Sequence, residues 1–591
     1  MKLNYLKNWK NILIYIIEAI ATFVAIFVNK DKLNELATIF SLKGIIAIVI
    51  LVLFYVHIYS NEKISKSVYI SSIFLSCVMI TGELLEKYET CFYRNISIIL
   101  IIISFVGWFT LFENILKIVK RYLCTKFNIN IKTIKYINRL NDKSFICICM
   151  LIMIICWLPY IILRYPAGIE SDAKNQIAQV LGFQKLINRW PVFSSILMGS
   201  FFKIGKTFFN SYDLGAIIYV VFQTIISAFV LAYSLNFIRK HKGTNQEILI
   251  ILITYSFVPL FPGYITSIVK DTLFADMVLL FNILLIEVLI DGNNLKKDIV
   301  IGIISLFMCL LRNNGIYILL FESIILAIYM IIKKENYKYL ILTFILVVFV
   351  NGCYEKIVIP TLGLECDNTV EALSIPLQQT ARCVNEHYDE LSKEDIVIIN
   401  KVLNVNVIKE KYNPLSSDPV KETFHGDSGD LLEYFKLWFR MFFKYPTTYV
   451  DATLQNIYGF FYPKARMWNR PNCGFYTSND IAGEYLLSSN EKLKMLCVLF
   501  EKYYINSIEN LPVIGNVFSI GFYMCTTMVA VIWAICEKKM KYIVYYMPSI
   551  VGILVCVAGP TFAQNGARYA LPIIYSVPLY IWLYRTEKLS K

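Results

Sequence analysis

The residues of this sequence with the most potential for chemistry stand in four short polar segments beside long apolar runs. Charged side chains next to apolar segments are costly and are therefore informative. An aspartate can accept a proton from a hydroxyl group, and lysine and arginine can neutralise phosphate oxygens. These residue types suit a general base that acts on a hydroxyl group and a site for a diphosphate or a phosphodiester. The candidates in the four segments are Asp172, Lys270, Asp271, Arg312, Asn313, Arg568 and Tyr569.

Each candidate also has a simpler interpretation. An acid such as Asp172 at the end of an apolar run can be solvated, and an arginine there can reach lipid headgroups. Lys270 and Asp271 are neighbours in sequence, so they do not share a helix face and need not neutralise each other. Three weaker candidates lie in a longer polar stretch, where they could bind a sugar or pack between helices. They are Gln378, Gln379 and Arg382.

The elements that must position these residues are membrane helices. Of the 591 residues, 57% are hydrophobic and 17% are charged, whereas soluble domains are roughly 45–50% apolar and about 25% charged. About 20 apolar helical residues cross a bilayer core. The sequence therefore predicts an all-α polytopic membrane protein with about fourteen transmembrane helices. These lie near residues 12–28, 44–59, 67–82, 95–116, 144–163, 214–238, 247–262, 272–290, 298–311, 315–332, 338–352, 513–536, 543–560 and 569–584.

The charge pattern predicts the orientation of these helices. Lys2, Lys7 and Lys10 precede the first apolar run, and basic residues recur in every second connecting segment, as the positive-inside rule requires. Both termini are therefore predicted to be cytoplasmic. The same segments account for the net charge of +14, so we expect the partners to include membrane lipids and no nucleic acid.

The alternation of apolar and polar segments predicts four parts. They are an N-terminal four-helix membrane module with a basic cytoplasmic segment (1–143), a second membrane module with an outer loop at 164–213 (144–353), a mostly helical extracytoplasmic domain (354–512), and C-terminal transmembrane helices (513–591). In the extracytoplasmic domain, Ser392 with Glu394 and Asp395 in the first turn predicts a helix start. The stretch Leu431 to Phe443 predicts an amphipathic helix that lies on the membrane surface or packs on the spans.

Several functional classes lack their signatures. No phosphate-binding or dinucleotide-binding glycine motif occurs, which argues against an ATP-driven pump. The four histidines show no metal-ligand spacing. No cofactor is identified, and a divalent cation stays an open alternative. Acids inside the predicted spans, such as Glu18 and Glu322, are few, which argues against an ion-coupled transporter. Four cysteines fall outside the membrane without an assignable pairing: Cys91, Cys366, Cys383 and Cys473.

At these segments the chain resembles the GT-C superfamily of membrane glycosyltransferases, and more closely a bacterial branch of it. The similar features are many spans, a long first outer loop with an acid, and a late outer domain. Between residues 144 and 584, the motifs that carry the resemblance are Pro166 to Asp172, Trp190-Pro191, Lys270-Asp271, Arg312 to Gly315, Ser374 to Gln379, and Arg568 to Pro572. The chain departs from the branch at residues 166–168, where Pro-Ala-Gly replaces Pro-Gly, and at Trp190, which stands where a histidine is usual.

The resemblance implies inverting transfer of a sugar from a polyprenyl-phosphate carrier to an extracytoplasmic glycan, lipid or protein, in cell-envelope glycan synthesis at the bacterial plasma membrane. Asp172 would orient or deprotonate the acceptor hydroxyl. Lys270, Arg312 and Arg568 would neutralise the leaving phosphate. Asp271 would be a second acid that positions the acceptor or binds a cation.

Two other functional classes also have many spans. A flippase or polymerase for lipid-linked glycans would have outer arginines too, although a flippase is expected to keep cations at membrane depth. A membrane scaffold for envelope assembly explains the spans and leaves the four polar segments without a role. The glycosyltransferase is the interpretation that accounts for both features.

Overall fold

The computed structural model of the protein describes residues 9–58, 65–93, 95–124, 140–364, 370–465, 490–511, 514–559 and 561–590. Within these ranges the chain is almost entirely helical, as the long apolar runs require. The α-helices are α1 (Trp9–Phe27), α2 (Leu42–Ile58), α3 (Lys66–Tyr88), α4 (Ile98–Cys124), α5 (Asp142–Leu163), α6 (Ser171–Leu181), α7 (Val192–Phe209), α8 (Tyr212–Lys240), α9 (Asn245–Phe257), α10 (Leu260–Ile265), α11 (Lys270–Asp291), α12 (Leu295–Leu311), α13 (Gly315–Lys333), α14 (Lys338–Cys353), α15 (Ile359–Thr361), α16 (Ser374–His387), α17 (Lys393–Asn400), α18 (Val405–Lys411), α19 (Asp418–Lys421), α20 (Ser428–Lys444), α21 (Pro446–Phe461), α22 (Glu491–Phe500), α23 (Asn506–Glu509), α24 (Ile520–Cys536), α25 (Met540–Ala558) and α26 (Phe562–Ser590).

Among the described residues, 8 helices are long and apolar enough to cross a membrane. They are Lys66–Tyr88, Ile98–Leu123, Asp142–Leu163, Tyr212–Lys240, Lys270–Asp291, Gly315–Lys333, Lys338–Thr361 and Met540–Ala558. A ninth span results if the helices Leu33–Phe40 and Leu42–Ile58, which are bent by 76°, count as one. The all-α class is confirmed, and several helices could span a membrane. Each predicted span coincides with at least part of a helix, but the predicted number of spans exceeds the number that meets these criteria.

The predicted span 247–262 is interrupted in the structure. Helix α9 ends at Phe257, and the short helix α10 begins at Leu260 after a break that contains Pro259. Proline lacks a backbone N–H and disfavours the helical conformation of the residue before it, which accounts for the break. The break turns the chain toward the segment that leads into α11.

The described residues contain one small sheet, of two parallel strands. Strand β1 (Gly168–Ile169) precedes α6, and strand β2 (Ser267–Ile268) precedes α11. Gly168 pairs with Ser267, and Ile169 pairs with Ile268. A parallel pair places equivalent ends of both strands at the same edge. The sheet therefore brings the first turns of α6 and α11 side by side.

The main hydrophobic core lies among the membrane helices. Helices α8, α11 and α26 contribute fully buried side chains to it, for example Leu231, Leu279 and Ile574. Helix α26 packs against both α11 and α25, and α8 packs against α5, α7 and α11. Helix α11, which begins with Lys270 and Asp271, and helix α26, which contains Arg568 and Tyr569, thus belong with α8 to one packed body.

The segment predicted to be extracytoplasmic (354–512), which we call the outer domain after that prediction, has a hydrophobic core of its own, which runs from Leu373 to Tyr449. The predicted helix start is confirmed, because Ser392 and Asp395 form a reciprocal capping box at the start of α17. The predicted amphipathic helix is present as α20, which buries Tyr434, Leu437 and Met441 on one face. The predicted boundary after residue 353 falls inside a continuous helix, since a π-helical turn (Tyr354–Val358) joins α14 to α15.

The N-terminal four-helix module is joined to the rest of the chain at both of its ends. Asp451 on α21 accepts hydrogen bonds from the backbone N–H of Cys91, at 2.9 Å, and from the hydroxyl of Thr90. At the other end of α3 and α4, Lys120 lies 3.0 Å from Glu537, which follows α24. These contacts give the module a packing role that the sequence does not reveal.

Candidate functional site

The two aspartates of the site occupy equivalent positions on neighbouring helices. Asp172 is the second residue of α6, and Asp271 is the second residue of α11. Each lies three residues after a paired isoleucine of the small sheet, Ile169 or Ile268. The first turn of a helix favours negative charge because its backbone N–H groups are unpaired and the helix dipole is positive there. The fold thus presents two carboxylates from adjacent helix starts.

Buried hydrogen bonds hold the chain in front of α11. The amide nitrogen of Gln223 donates to the carbonyl oxygens of Ile265 and Ser267, at 2.8 Å and 2.7 Å. Arg164 donates to the carbonyl oxygen of Gly263 at 2.7 Å and to the hydroxyl of Ser267 at 2.9 Å. These bonds fix the strand β2, and with it the direction in which α11 starts.

Gly168 allows the two strands to come together. A Cβ atom at this position would lie 3.3 Å from the Ser267 hydroxyl and 3.6 Å from the Arg164 side chain. A larger side chain would therefore push against both β2 and the arginine that holds it. Close packing against Ser267 and Arg164 thus explains the glycine at position 168 of the motif Pro166 to Asp172.

Three cations surround the two aspartates. Nη1 of Arg568 donates a hydrogen bond to Oδ2 of Asp172 at 2.9 Å. Nζ of Lys270 lies 4.0 Å from the same oxygen. Arg312 forms an ion pair with Asp271. We call this set, Asp172, Lys270, Asp271, Arg312 and Arg568, the charge cluster.

The members of the charge cluster differ in exposure. The side chains of Lys270, Arg312 and Arg568 are each 8% exposed, and that of Asp271 is 2% exposed. Asp172 is 35% exposed. A molecule that approaches the cluster therefore meets the Asp172 carboxylate first, with buried positive charge behind it.

The electrostatic environment keeps Asp172 ionised. Burial disfavours its charged form, but the charges of Arg568 and Lys270, the hydrogen bond from Arg568 and the charge of Arg312 outweigh burial and lower its pKa below the usual value. A carboxylate that is ionised at neutral pH can accept a proton or orient a hydroxyl group.

Arg312 is held by an aromatic ring as well as by Asp271. Its guanidinium group lies 3.8 Å from the ring centre of Tyr569 and 5.8 Å from that of Phe274. Stacking on an aromatic face stabilises arginine and restricts its orientation. Tyr569 thus joins the cluster through Arg312. Asn313 is exposed in the turn between α12 and α13.

The candidates of the outer domain lie in a different network. Gln378 donates to the carbonyl oxygens of Asn413 and Ser416 at 3.0 Å and 3.1 Å. Gln379 accepts from the indole of Trp438 at 2.9 Å. Arg382 bonds to Glu386 at 2.7 Å and to the carbonyl oxygen of Glu89 at 2.9 Å. Of the two interpretations offered for these three residues, the contacts favour helix packing, and in the described structure none of these contacts reaches the charge cluster.

Two site residues were not among the candidates. The buried side chain of Arg164 holds β2, and the charge of the buried Glu170 acts on Arg568. Both lie in the same polar segment as Asp172. Their position at the end of an apolar run is the sequence feature that could have identified them. Trp190, which replaces the histidine of the similar branch, lies 5.4 Å from the Arg189 guanidinium group.

Neither a metal-binding cluster of His, Cys, Asp and Glu side chains nor a disulfide at Cys91 or Cys383 is present in the part of the chain that is described. No group of three or more His, Cys, Asp or Glu residues there could hold a metal ion. Cys91 and Cys383 are free thiols. Cys366 and Cys473 lie outside the described residues.

Comparison with known proteins finds one family. The profile of a family described as a family of unknown function, DUF6020, matches residues 183–591. This range includes Lys270, Asp271, Arg312 and Arg568 and begins after Asp172. No curated protein and no solved structure matches the chain.

Proposed function

We propose, for a chain that belongs to DUF6020, a family of unknown function, that it is a membrane glycosyltransferase of GT-C type. It moves a sugar from a polyprenyl-phosphate carrier to an acceptor hydroxyl on the outer side of a bacterial plasma membrane, with both termini in the cytoplasm. The observation that carries the proposal is the position of Asp172, a partly exposed carboxylate backed by buried cations.

Asp172 is the group proposed to act on the acceptor. Arg568 and Lys270 both approach its Oδ2 atom, so Oδ1 is the oxygen that an acceptor hydroxyl can reach. In the reaction, the hydroxyl oxygen forms a bond to the anomeric carbon while its proton passes to Asp172. The bond between that carbon and the phosphate oxygen breaks, and its electron pair leaves with the phosphate. The configuration at the anomeric carbon inverts.

Lys270 is the cation proposed to meet the phosphate. Arg568 is hydrogen-bonded to Asp172, and Arg312 is paired with Asp271, whereas the ion pair of Lys270 is the longest of the cluster at 4.0 Å. A phosphate leaving group needs stabilising positive charge more than it needs a proton. Lys270, with Arg312 and Arg568 nearby, supplies that charge.

Asp271 has a different role from Asp172 in this proposal. Its side chain is buried and paired with Arg312, so it positions a phosphate-binding arginine and does not serve as the base. The two equivalent helix starts thus carry two different functions, and exposure distinguishes them.

Transfer of labelled sugar tests the proposal directly. Purified protein is incubated with polyprenyl-phosphate-linked sugars and candidate acceptors, with Asp172→Asn beside the wild type. Loss of a general base is expected to lower the rate by roughly 10²–10⁴-fold. The matched control is Asp213→Asn, which changes another acid of the outer loop, at the start of α8 and outside the charge cluster.

The possible outcomes separate the functional classes. If the Asp172→Asn variant transfers sugar at the wild-type rate, Asp172 is not the base. If both proteins bind the lipid-linked sugar without turnover and move it across vesicle membranes, the second candidate, a flippase, replaces the enzyme. Buried acids in the membrane body, Asp276 and Glu322, are the observation that keeps this candidate in view.

A further inference from the structure

A second acidic site lies inside the membrane body, below the charge cluster. Asp276 on α11 is fully buried at 0% exposure. It is six residues along α11 from Lys270, which corresponds to about 9 Å of helix and places it in the outer third of a hydrocarbon core about 30 Å thick. An ionisable residue at this depth marks a functional site by default, unless a partner explains it.

The described partners of Asp276 leave its charge uncompensated. The Ser227 hydroxyl on α8 donates to Oδ2 at 2.5 Å. Oδ1 is buried and has no hydrogen-bond partner in the described structure. No lysine, arginine or histidine of the described residues forms an ion pair with Asp276, and the cations of the charge cluster pair with Asp172 and Asp271.

Further oxygen atoms without partners lie on the helices around Asp276. On α8, the described structure gives no hydrogen-bond partner to the hydroxyls of Tyr219 and Thr224, and on α26 it gives none to the hydroxyl of Tyr575. Both α8 and α26 pack against α11, which carries Asp276. Tyr575 is seven residues along α26 from Arg568, about 10 Å of helix, so it lies at a depth similar to that of Asp276.

Burial of an unpaired carboxylate in an apolar environment costs far more free energy than burial of a neutral group. Such a carboxylate requires a cation or a proton. The Ser227 hydroxyl contacts the carboxylate of Asp276, further hydroxyls lie on α8 and α26, and oxygen atoms are the preferred ligands of hard cations. One carboxylate balances one positive charge. We propose that Asp276, Ser227, Tyr219 and Tyr575 form a binding site for a sodium ion between α8, α11 and α26.

This site goes beyond the proposed sugar transfer and does not depend on it. Sodium at Asp276 would join α8 to α11 just below the first turn of α11, where Lys270 and Asp271 lie. Because binding is measured on the protein without any sugar, the sodium site can fail while the transferase proposal stands, and the reverse also holds.

Thermal unfolding of the purified full chain tests the site. The midpoint is measured at constant ionic strength while sodium chloride replaces choline chloride, and again with potassium chloride. Since an ion that binds only the folded state stabilises it, sodium is expected to raise the midpoint saturably by about 2 °C or more. Equal midpoints in all three salts would overturn the proposal, as would a midpoint set by pH alone, which would identify a proton as the occupant.

Three variants locate the effect. Asp276→Asn is expected to abolish the sodium-dependent shift, and Ser227→Ala to require several-fold more sodium for the same shift. Glu322→Gln changes another fully buried acid of the membrane body, on α13, and is expected to keep the wild-type shift. Loss of the shift in Glu322→Gln but not in Asp276→Asn would place the ion elsewhere and overturn the assignment. If Asp276→Asn does not fold, the sodium concentration that Ser227→Ala requires tests the assignment, and a requirement equal to that of the wild type would overturn it.

Discussion

The lowered pKa of Asp172 predicts how activity depends on pH. Because its folded-state pKa lies below the usual value of about 3.9 for aspartate, the carboxylate is ionised throughout the range in which most proteins are stable. We expect kcat/KM to show no acid limb from this residue between about pH 5 and pH 8. The measurement is a pH profile of sugar transfer, with unfolding followed over the same range.

The same shift has a consequence for stability. A depressed folded-state pKa stabilises the protein above the unfolded pKa, and this contribution is lost as the pH falls through the folded pKa. In the pH profile of sugar transfer, a fall in the wild-type kcat/KM centred near pH 6, while the protein stays folded, would show that another group is the base.

Tyr569 offers a second test at the scale of a single residue. Its ring lies 3.8 Å from the Arg312 guanidinium group, and such contacts contribute about 0.5–2 kcal/mol. Tyr569→Leu should therefore lower kcat/KM by roughly 2-fold to 30-fold if Arg312 stabilises the transition state. Tyr569→Phe keeps the aromatic face and should remain close to the wild type. A wild-type rate in both variants would mean that the orientation of Arg312 does not matter for turnover.

At the scale of elements, Gln223 tests how β2 positions the cluster. Gln223→Leu removes the donor to the Ile265 and Ser267 carbonyl oxygens, and buried acceptors left unpaired cost about 1–3 kcal/mol. We expect a lower unfolding midpoint together with slower transfer, because Lys270 and Asp271 follow β2 directly. Gln184→Leu, at an exposed position between α6 and α7, serves as the control. Transfer at the wild-type rate despite a lower midpoint would show that these hydrogen bonds stabilise the fold without positioning the cluster.

The helices were predictable from sequence because apolar runs and capping residues are local signals. Ser392 with Asp395 shows this, since the predicted helix start is present as a capping box. The pairing of β1 with β2 was not predictable, because two-residue strands about a hundred positions apart carry no periodic pattern. Their pairing is nonetheless what aligns the first turns of α6 and α11.

The candidate site was predictable in part for a related reason. Charged residues at the ends of apolar runs stand out, and the structure brings Asp172 together with Lys270 and Arg568. Asp276 was not among the candidates, because a single acid within an apolar run carries no spacing that assigns it a partner. The sequence does not show whether the polar groups of Gln378 bind a ligand or a neighbouring helix. In the structure its amide bonds to the backbone of the outer domain.

At the scale of the whole molecule, Asp451 links the outer domain to the N-terminal module. It is 4% exposed, and it bonds to Thr90 and Cys91, with Arg382 at 4.0 Å. Asp451→Ala removes the acceptor of the Thr90 and Cys91 hydrogen bonds, and hydrogen bonds to charged groups contribute about 1.5–3 kcal/mol each. We expect faster hydrogen exchange in α16 and α21 and in residues 89–93, without a matching change in α11.

The exposed ion pair of Lys401 with Glu433 provides the control for this prediction. Its side chains are 42% and 53% exposed, and exposed pairs contribute about 0–1 kcal/mol, so Glu433→Gln should leave hydrogen exchange unchanged. If Asp451→Ala also leaves exchange unchanged, the module and the outer domain are held together by the packing of α3 against α21 and α24, and not by this buried polar link. Faster exchange confined to the segments around Asp451 would instead establish the N-terminal module as a support for the outer domain.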